Sequence, residues 1–464
     1  MSESLTPSQS VSAHSSRRAF LQKSVYAAST LGFPAITRSA SPNSKLQVAS
    51  VGVNGMGFSD IKNIGGHAAV KFVGFCDIDS TRFDKVDEAF PGVAHFADFR
   101  EMFAKLGDQI DAVSVATPDH MHAAVAMAAM RAGKHIYCQK PLAQTVWEAR
   151  QMRLLAEKKG VVTQMGNQIH SNLEYRLGTR LIKEGAIGKI KEVHSWVGVT
   201  GNERTKLLEP AAAEKVPDHV NWDLWIGVAP MRDYAPVYHP FVWRDWQDFG
   251  GGALGDFGCH ILDPVFTALG LNAPLTVVAQ NSGINRHIWP TSQQIQYVFP
   301  GNALTAGDKL NVTWTDGGLR PDRKLAKMPA ELDLPKSGSL FIGEEGNLVL
   351  AHVAGPRMYP LEKFKGFSYP KEEGRNHWHV WVDACLNGGK TSDGFDYAGP
   401  LAETVQLGNV ATRLAVGQID QRTGRMEKPK LIEWDAANMK IPNLPEAEAL
   451  LTRAYRAGWE VAPA

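Results

Sequence analysis

The stretch GGGALGDFGCHILD, residues 250–263, sets Asp256, His260 and Asp263 close together behind three glycines. Asp256 and His260 stand four positions apart, so on a helix they share one face and can enter one cleft. An imidazole with an ordinary pKa of about 6.5 can take a hydroxyl proton at neutral pH while hydride leaves the same carbon. The carboxylate beside it can bind substrate or orient its partners. Two other readings stay open. One is a metal site completed by Asp263, although no H-x-x-x-H pattern accompanies it. The other is a glycine bend starting a helix around a buried histidine.

Lys140, in GKHIYCQKPLAQT, is the next candidate. A residue before proline is biased towards extended backbone, which places Lys140 at a strand end. There an ammonium can orient a substrate hydroxyl and share its proton. A solvated surface lysine is the plain alternative.

Such groups need a scaffold. LQVASVG, VKFVGFC, IDAVSVA, KHIYC and VVTQM are short apolar runs of the kind buried on both faces of a sheet. Helix-like stretches at 119–132 and 145–159 alternate with the later runs, which predicts a doubly wound parallel sheet over residues 44–166. After a helix at 172–184 the texture changes. KIKEVHSWVGV, PLTVVAQNSGI, QQIQYVF, KLNVTWTD, GSLFIG and NLVLAH read as strands joined by loops. Residues 167–464 are therefore expected to form an α+β domain with a large open, mainly antiparallel sheet and a long helix at 396–417. The fold class is α/β, and the open sheet invites a homo-oligomer through its exposed face.

VASVGVNGMGFSD follows the first strand. Gly52, Asn54 and Gly57 occupy the three positions of G-x-G-x-x-G, with asparagine in place of the middle glycine and Gly55 and Met56 between. Such a loop permits a tight turn, close helix–strand packing and amides aimed at a pyrophosphate. Asp77 ends the second strand, where a carboxylate can accept hydrogen bonds from both ribose hydroxyls of NAD and repel a 2′-phosphate. Arg82 keeps NADP as the alternative. Thr117, Pro118 and His122, in ATPDHMH, lie at the carboxyl edge of the third run, where ligands bind in such sheets. An empty turn, with Asp77 capping the next helix, is the plain reading.

The glycine loop, Thr117-Pro118 with His122, Gly133-Lys134-His135, Lys140-Pro141 and the 250–263 stretch together resemble the Gfo/Idh/MocA family, which includes glucose–fructose oxidoreductase and inositol dehydrogenase. Motifs carry the resemblance over residues 45–290, and it extends loosely to about 420. It implies a catalytic trio of Lys140, Asp256 and His260. Gln139 stands where the family usually has glutamate, so the resemblance does not carry over a role for that acid.

NWDLWIGVAP and YHPFVWRDWQDF gather Trp222, Trp225, Tyr238, Trp243 and Trp246 ahead of the trio's helix. Flat aromatic faces match sugar rings, and Arg244, His239 and Asp248 can bond hydroxyls. Each tryptophan can equally be core filling. Expected substrate contacts are Asn167, Gln168, Tyr238, Trp243 and Arg244 with Asp256 and His260; His170 and Asn376-His377 are weaker candidates. The expected substrate is a small carbohydrate or cyclitol.

A net charge of +1 with 21% charged and 44% hydrophobic residues describes a globular chain without a nucleic-acid footprint. SRRAFLQKSVYAASTLGFPA resembles a twin-arginine export signal, so residues 1–43 are set apart from the fold. Its apolar stretch is too short and too rich in Ser and Thr for stable membrane insertion. The expected location is periplasmic. Cys76, Cys138, Cys259 and Cys385 are far apart and read as free thiols. Outside the cytoplasm a released NADH is a dead end, so export favours a tightly bound cofactor recycled in one site. Oxidising one sugar while reducing another would do this; so would a glycoside hydrolase or lyase acting through a transient keto-sugar. A non-catalytic, cofactor-binding sensor is the alternative of another class.

Overall fold

The computed structural model describes residues 45–199, 209–414 and 429–464. The twin-arginine motif and the last residues of the expected 396–417 helix lie outside them. Among the described residues, no helix is long and apolar enough to cross a membrane.

Six parallel strands form the first sheet: β1 (Leu46–Val51), β2 (Val70–Cys76), β3 (Ala94–Phe96), β4 (Ala112–Val115), β5 (His135–Gln139) and β6 (Thr163–Gly166), in the order β3-β2-β1-β4-β5-β6. Every residue of β4 and β6 is buried, as a sheet covered on both faces requires. Five strands follow the sequence runs. β3 was not anticipated, because it is three residues long and exposes Ala94 and His95, leaving no hydrophobic pattern to read. The strand order reverses between β1 and β4, the switch point beyond whose strand ends the ligand crevice of such sheets lies.

The second sheet has eight strands: β7 (Ile190–Trp196), β8 (Thr276–Asn281), β9 (Gln293–Pro300), β10 (Lys309–Thr315), β11 (Gly338–Gly343), β12 (Asn347–Ala351), β13 (Arg357–Tyr359) and β14 (Ile432–Glu433). Their order is β13-β12-β11-β7-β10-β9-β8-β14, antiparallel throughout except where β7 runs parallel to β10. Alternate residues of β9 are buried, so this sheet has one covered face. The face expected to join two copies presents Gln280, Gln296, Lys309 and Asn311.

The long helix Phe395–Arg413 packs on β8, on Val146–Lys159 and on Gly252–Ile261, joining the two sheets into one compact unit over 45–464. Arg150 reinforces this junction with two hydrogen bonds to the Glu403 carboxylate, at 2.7 and 2.6 Å. The glycines of 250–252 set the angle at which the trio's helix enters. A Cβ on Gly250 would lie 2.6 Å from the Arg244 Cα, and one on Gly252 2.6 Å from the Trp289 ring. Gly252 also has φ +61°, which L side chains rarely adopt. Cys76, Cys138 and Cys259 are buried and unbridged, and Cys385 is likewise free.

Gly252→Ala should therefore destabilise the fold by about 2–3 kcal/mol, combining a disfavoured φ with a clash that displaces the helix start. Urea melts of the two proteins measure it.

Candidate active site

The glycine loop is shaped by what stands behind it. Gly52 has φ +83°, and a Cβ there would sit 2.5 Å from the Ala116 carbonyl oxygen. A Cβ on Gly57 would lie 2.1 Å from the Gly52 carbonyl oxygen, so both positions demand glycine. Gly55 carries the remaining positive φ, +57°, with open space over it. The asparagine at the usual middle position thus does not need the left-handed backbone. Its side chain accepts the Gly55 amide at 2.7 Å and shapes the turn. Asp77 closes the loop from the β2 side: its carboxylate accepts from Val53 N and Asp79 N, both at 3.1 Å, and burial raises its pKa. Arg82 donates to Asp79 at 2.7 Å and is committed there.

Lys140 and Asp256 meet where the two halves adjoin. The Lys140 Nζ donates to Asp256 Oδ1 at 2.6 Å and to the Asp256 carbonyl oxygen at 2.8 Å. Arg244 Nε stands 3.3 Å from the same Oδ1, its guanidinium 4.1 Å from the centre of the Trp243 ring. One helical turn beyond Asp256, His260 Nδ1 lies 2.6 Å from Asn167 Oδ1. The Asn167 amide nitrogen donates to the Cys259 carbonyl at 3.0 Å, which fixes the oxygen towards the imidazole. Nδ1 must then carry the proton, and Nε2 keeps its lone pair. Burial, and then the Lys140 charge, hold the His260 pKa well below 6.5. This corrects the expectation of an ordinary histidine: the ring is neutral at physiological pH and also below it.

Two family models match the chain. One, described as an oxidoreductase family with an NAD-binding Rossmann fold, spans residues 46–167; the other, its C-terminal alpha/beta domain, spans 183–303. The chain belongs to the Gfo/Idh/MocA oxidoreductase family. Residues 46–167 form an NAD-binding Rossmann domain. It is 32% identical over 155 residues to levoglucosan dehydrogenase of Pseudarthrobacter phenanthrenivorans, covering 33% of this chain and 32% of that protein. Inositol 2-dehydrogenase 1 of Saccharopolyspora erythraea is 34% identical over 154 residues, covering 32% of this chain and 44% of that one. The chain thus spans about a third to under half the length of these curated relatives. Aldose-aldose oxidoreductase from Caulobacter crescentus, solved with glycerol, superposes with TM-score 0.53 at 17% identity, covering 80% of this chain and 98% of that chain. That likeness is one of fold.

Gln139, the departure from the usual family glutamate, has a local cause. Its amide donates to Asp60 at 2.8 Å, and Trp378 Nε1 bonds the other Asp60 oxygen at 2.8 Å. Burial raises Asp60 to a pKa of about 7. A glutamate at 139 would set two buried carboxylates against each other.

Other expected site residues fall elsewhere. Tyr238 is 2% exposed and packs with Trp222, Trp246 and Phe249. Trp243 is also buried, beneath Arg244. These rings form a core cluster rather than an open sugar platform, because they pack against one another more completely than one chain segment reveals. His122 does not face the crevice; its ring nitrogens lie 2.8 Å from the Pro141 and Thr117 carbonyls, bracing two loops. Asn167 is occupied by His260 and Cys259, while Gln168 Oε1 is buried without a partner. His377 lies between Ser171 and the Met165 carbonyl, and Asn376 caps the following helix.

Two groups escaped the sequence reading. Asp119, in the quoted ATPDHMH, is fully buried and raised to about 7, with Arg244 and Lys140 pulling it down and Asp256 pushing it up. His352, just past β12, has its ring centre 5.8 Å from that of His260, the planes tilted by 36°, and lies 2.9 Å from the Tyr175 hydroxyl. The acid could have been found beside a motif already singled out. The histidine had no local signal.

An NMR titration of the imidazoles should find His260 neutral, protonated on Nδ1, down to below pH 6.5. In Lys140→Met, loss of the neighbouring positive charge should move its pKa upwards.

Proposed function

We propose that this chain is a nicotinamide-dependent oxidoreductase acting on a ring hydroxyl of a sugar or cyclitol, with NAD held tightly. The observation that carries this is the convergence of a charged Lys140, paired to Asp256, with a neutral His260 one helical turn away. The glycine loop fits the cofactor. Amides from Gly52 to Gly57, with Asn54, Gly55 and Met56 between, would hold the pyrophosphate, and the space over Gly55 is open. Asp77 would take the ribose hydroxyls and repel a 2′-phosphate, which supports NAD over NADP, while Arg82 Nε is paired with Asp79. The Thr117 hydroxyl, buried and without a partner, has a bond to give on the same edge, next to Pro118.

A nicotinamide cofactor bound there would supply the acceptor for the hydride leaving the carbinol carbon. Two of the three Lys140 ammonium protons go to Asp256, and the third is directed to the substrate oxygen. His260 Nε2 takes the hydroxyl proton, with Asn167 holding the ring in the tautomer that makes this atom the acceptor. Lys140 and Arg244 together stabilise negative charge growing on the oxygen. Gln168, Arg244 and His352 offer polar contacts for the remaining hydroxyls. The relatives named for levoglucosan and inositol support this substrate class. The twin-arginine resemblance favours a periplasmic protein that carries its cofactor and recycles it within one site.

Lys140→Met and His260→Ala should each lower turnover by about 10²–10⁴-fold while leaving NAD affinity within a few-fold, as read from steady-state rates and cofactor titration. Wild-type activity should persist as pH falls through 6.5, since a base with a lowered pKa stays unprotonated there; an acid limb at or above 6.5 would sink His260 as the base. Native mass spectrometry of the purified chain should show NAD(H) retained at about one per chain, and an empty protein would remove the recycling reading.

A further inference from the structure

We propose that His170, Asp263 and Asp393 form a divalent-cation site behind the reaction centre. One ligand-type atom from each residue lies within 4.8 Å of the other two, and all three residues are buried. They come from three separate segments. His170 belongs to the turn Gln168–Ser171, Asp263 opens the helix Asp263–Leu269, and Asp393 precedes the helix Phe395–Arg413.

Asp393 points to the ligand. It is 1% exposed, and both of its carboxylate oxygens are buried without any hydrogen-bond partner. A carboxylate in that state is among the least favourable groups to bury. Protonating His170 does not supply the missing bond. Its Nδ1 faces Asp263 Oδ1 at 2.8 Å and its Nε2 faces Ser392 Oγ at 3.1 Å, so no N–H remains for Asp393. Without an ion, Asp393 either keeps an uncompensated charge in the interior or takes up a proton for which no acceptor stands within hydrogen-bond reach. Arg176, the guanidinium that acts on His170, is paired with Glu372.

A divalent ion resolves both problems. Two carboxylates and a neutral imidazole balance its charge, and it gives Asp393 a partner. One nitrogen and two carboxylate ligands suit a first-row ion such as Zn²⁺ or Mn²⁺. Ligands each about 2.0–2.2 Å from such an ion stand roughly 3–4 Å apart, so the site closes with side-chain shifts of about an ångström. The outer contacts are in place: Ser392 meets the other His170 nitrogen, and the Tyr397 hydroxyl donates to Asp263 Oδ1 at 2.8 Å. A groove lined by Arg153, Thr391, Ser392 and Tyr397 runs beside the two outer contacts, Ser392 and Tyr397.

The position suits a clamp. His170 lies three residues after Asn167, and Asp263 three after His260. The ion ties together the two segments whose Asn167–His260 hydrogen bond sets the imidazole's tautomer.

The test uses the tag-free full chain, stripped with chelator and desalted. Zn²⁺ alone and Mn²⁺ alone are added separately, and bound metal is counted by elemental mass spectrometry after gel filtration. The expected result is about one equivalent of at least one ion and a melting midpoint raised by several degrees. Asp393→Asn, nearly the same shape without the charge, should fall to about a tenth of an equivalent and lose the shift while keeping its circular dichroism. Wild-type protein that binds neither ion, or an Asp393→Asn protein that binds as well as wild type, overturns the site. If that variant does not fold, Co²⁺ added to the wild type decides: a visible d–d band at one equivalent supports the site, and its absence overturns it. None of these readouts depends on turnover, so the site can fail while the oxidoreductase reading stands, and the reverse.

Discussion

The contact between Lys140 and Asp256 ties the two halves of this molecule together at the candidate site. Their side chains are 13% and 10% exposed, so neither charge is well served by water. Removing Lys140 would take away the nearer of the two cations beside Asp256 and leave Arg244 Nε at 3.3 Å. The pair therefore requires the β5 end and the helix Gly252–Ile261 to meet closely. Both charges are then read by their neighbours. His260 and His352 are held neutral partly by the Lys140 ammonium, and Asp119 feels Lys140, Arg244 and Asp256 together.

That meeting depends on small residues at the junction. Gly250 lets the backbone of Arg244 approach, and Gly252 turns the chain into its helix beside Trp289. On the far side Gly258 nests against Val405, while Gly408 lies against the Tyr297 hydroxyl. A Cβ at any of these points would push apart layers that carry the site. The triple glycine is thus a packing device whose effect is electrostatic, since it sets how near one charge comes to another.

The central helix Phe395–Arg413 has a matching role. It contacts both the first-sheet helix Val146–Lys159 and the trio's helix, so the two halves share an interior rather than merely touching. A shared interior restricts relative motion of the two halves. The proton acceptor and the ammonium proposed for the reaction come from different halves, and that chemistry needs the restraint, because an ångström of misplacement is expensive in catalysis.

Local order was legible in the sequence. The glycine loop, the run of apolar strands and the four-residue spacing of Asp256 and His260 all depend on neighbours along the chain, where periodicity and backbone preference act. Short-range pattern could not supply the short strand β3, the burial of Tyr238 and Trp243 in their own cluster, or the arrival of His352 beside His260. Nor could it supply the protonation state of His260, which follows from burial and from a lysine 120 positions away in sequence. The sequence by itself determined which chemical groups exist and which local elements carry them. Tertiary structure alone decided which groups meet and what charge they bear, because desolvation and Coulomb forces depend on distance through space.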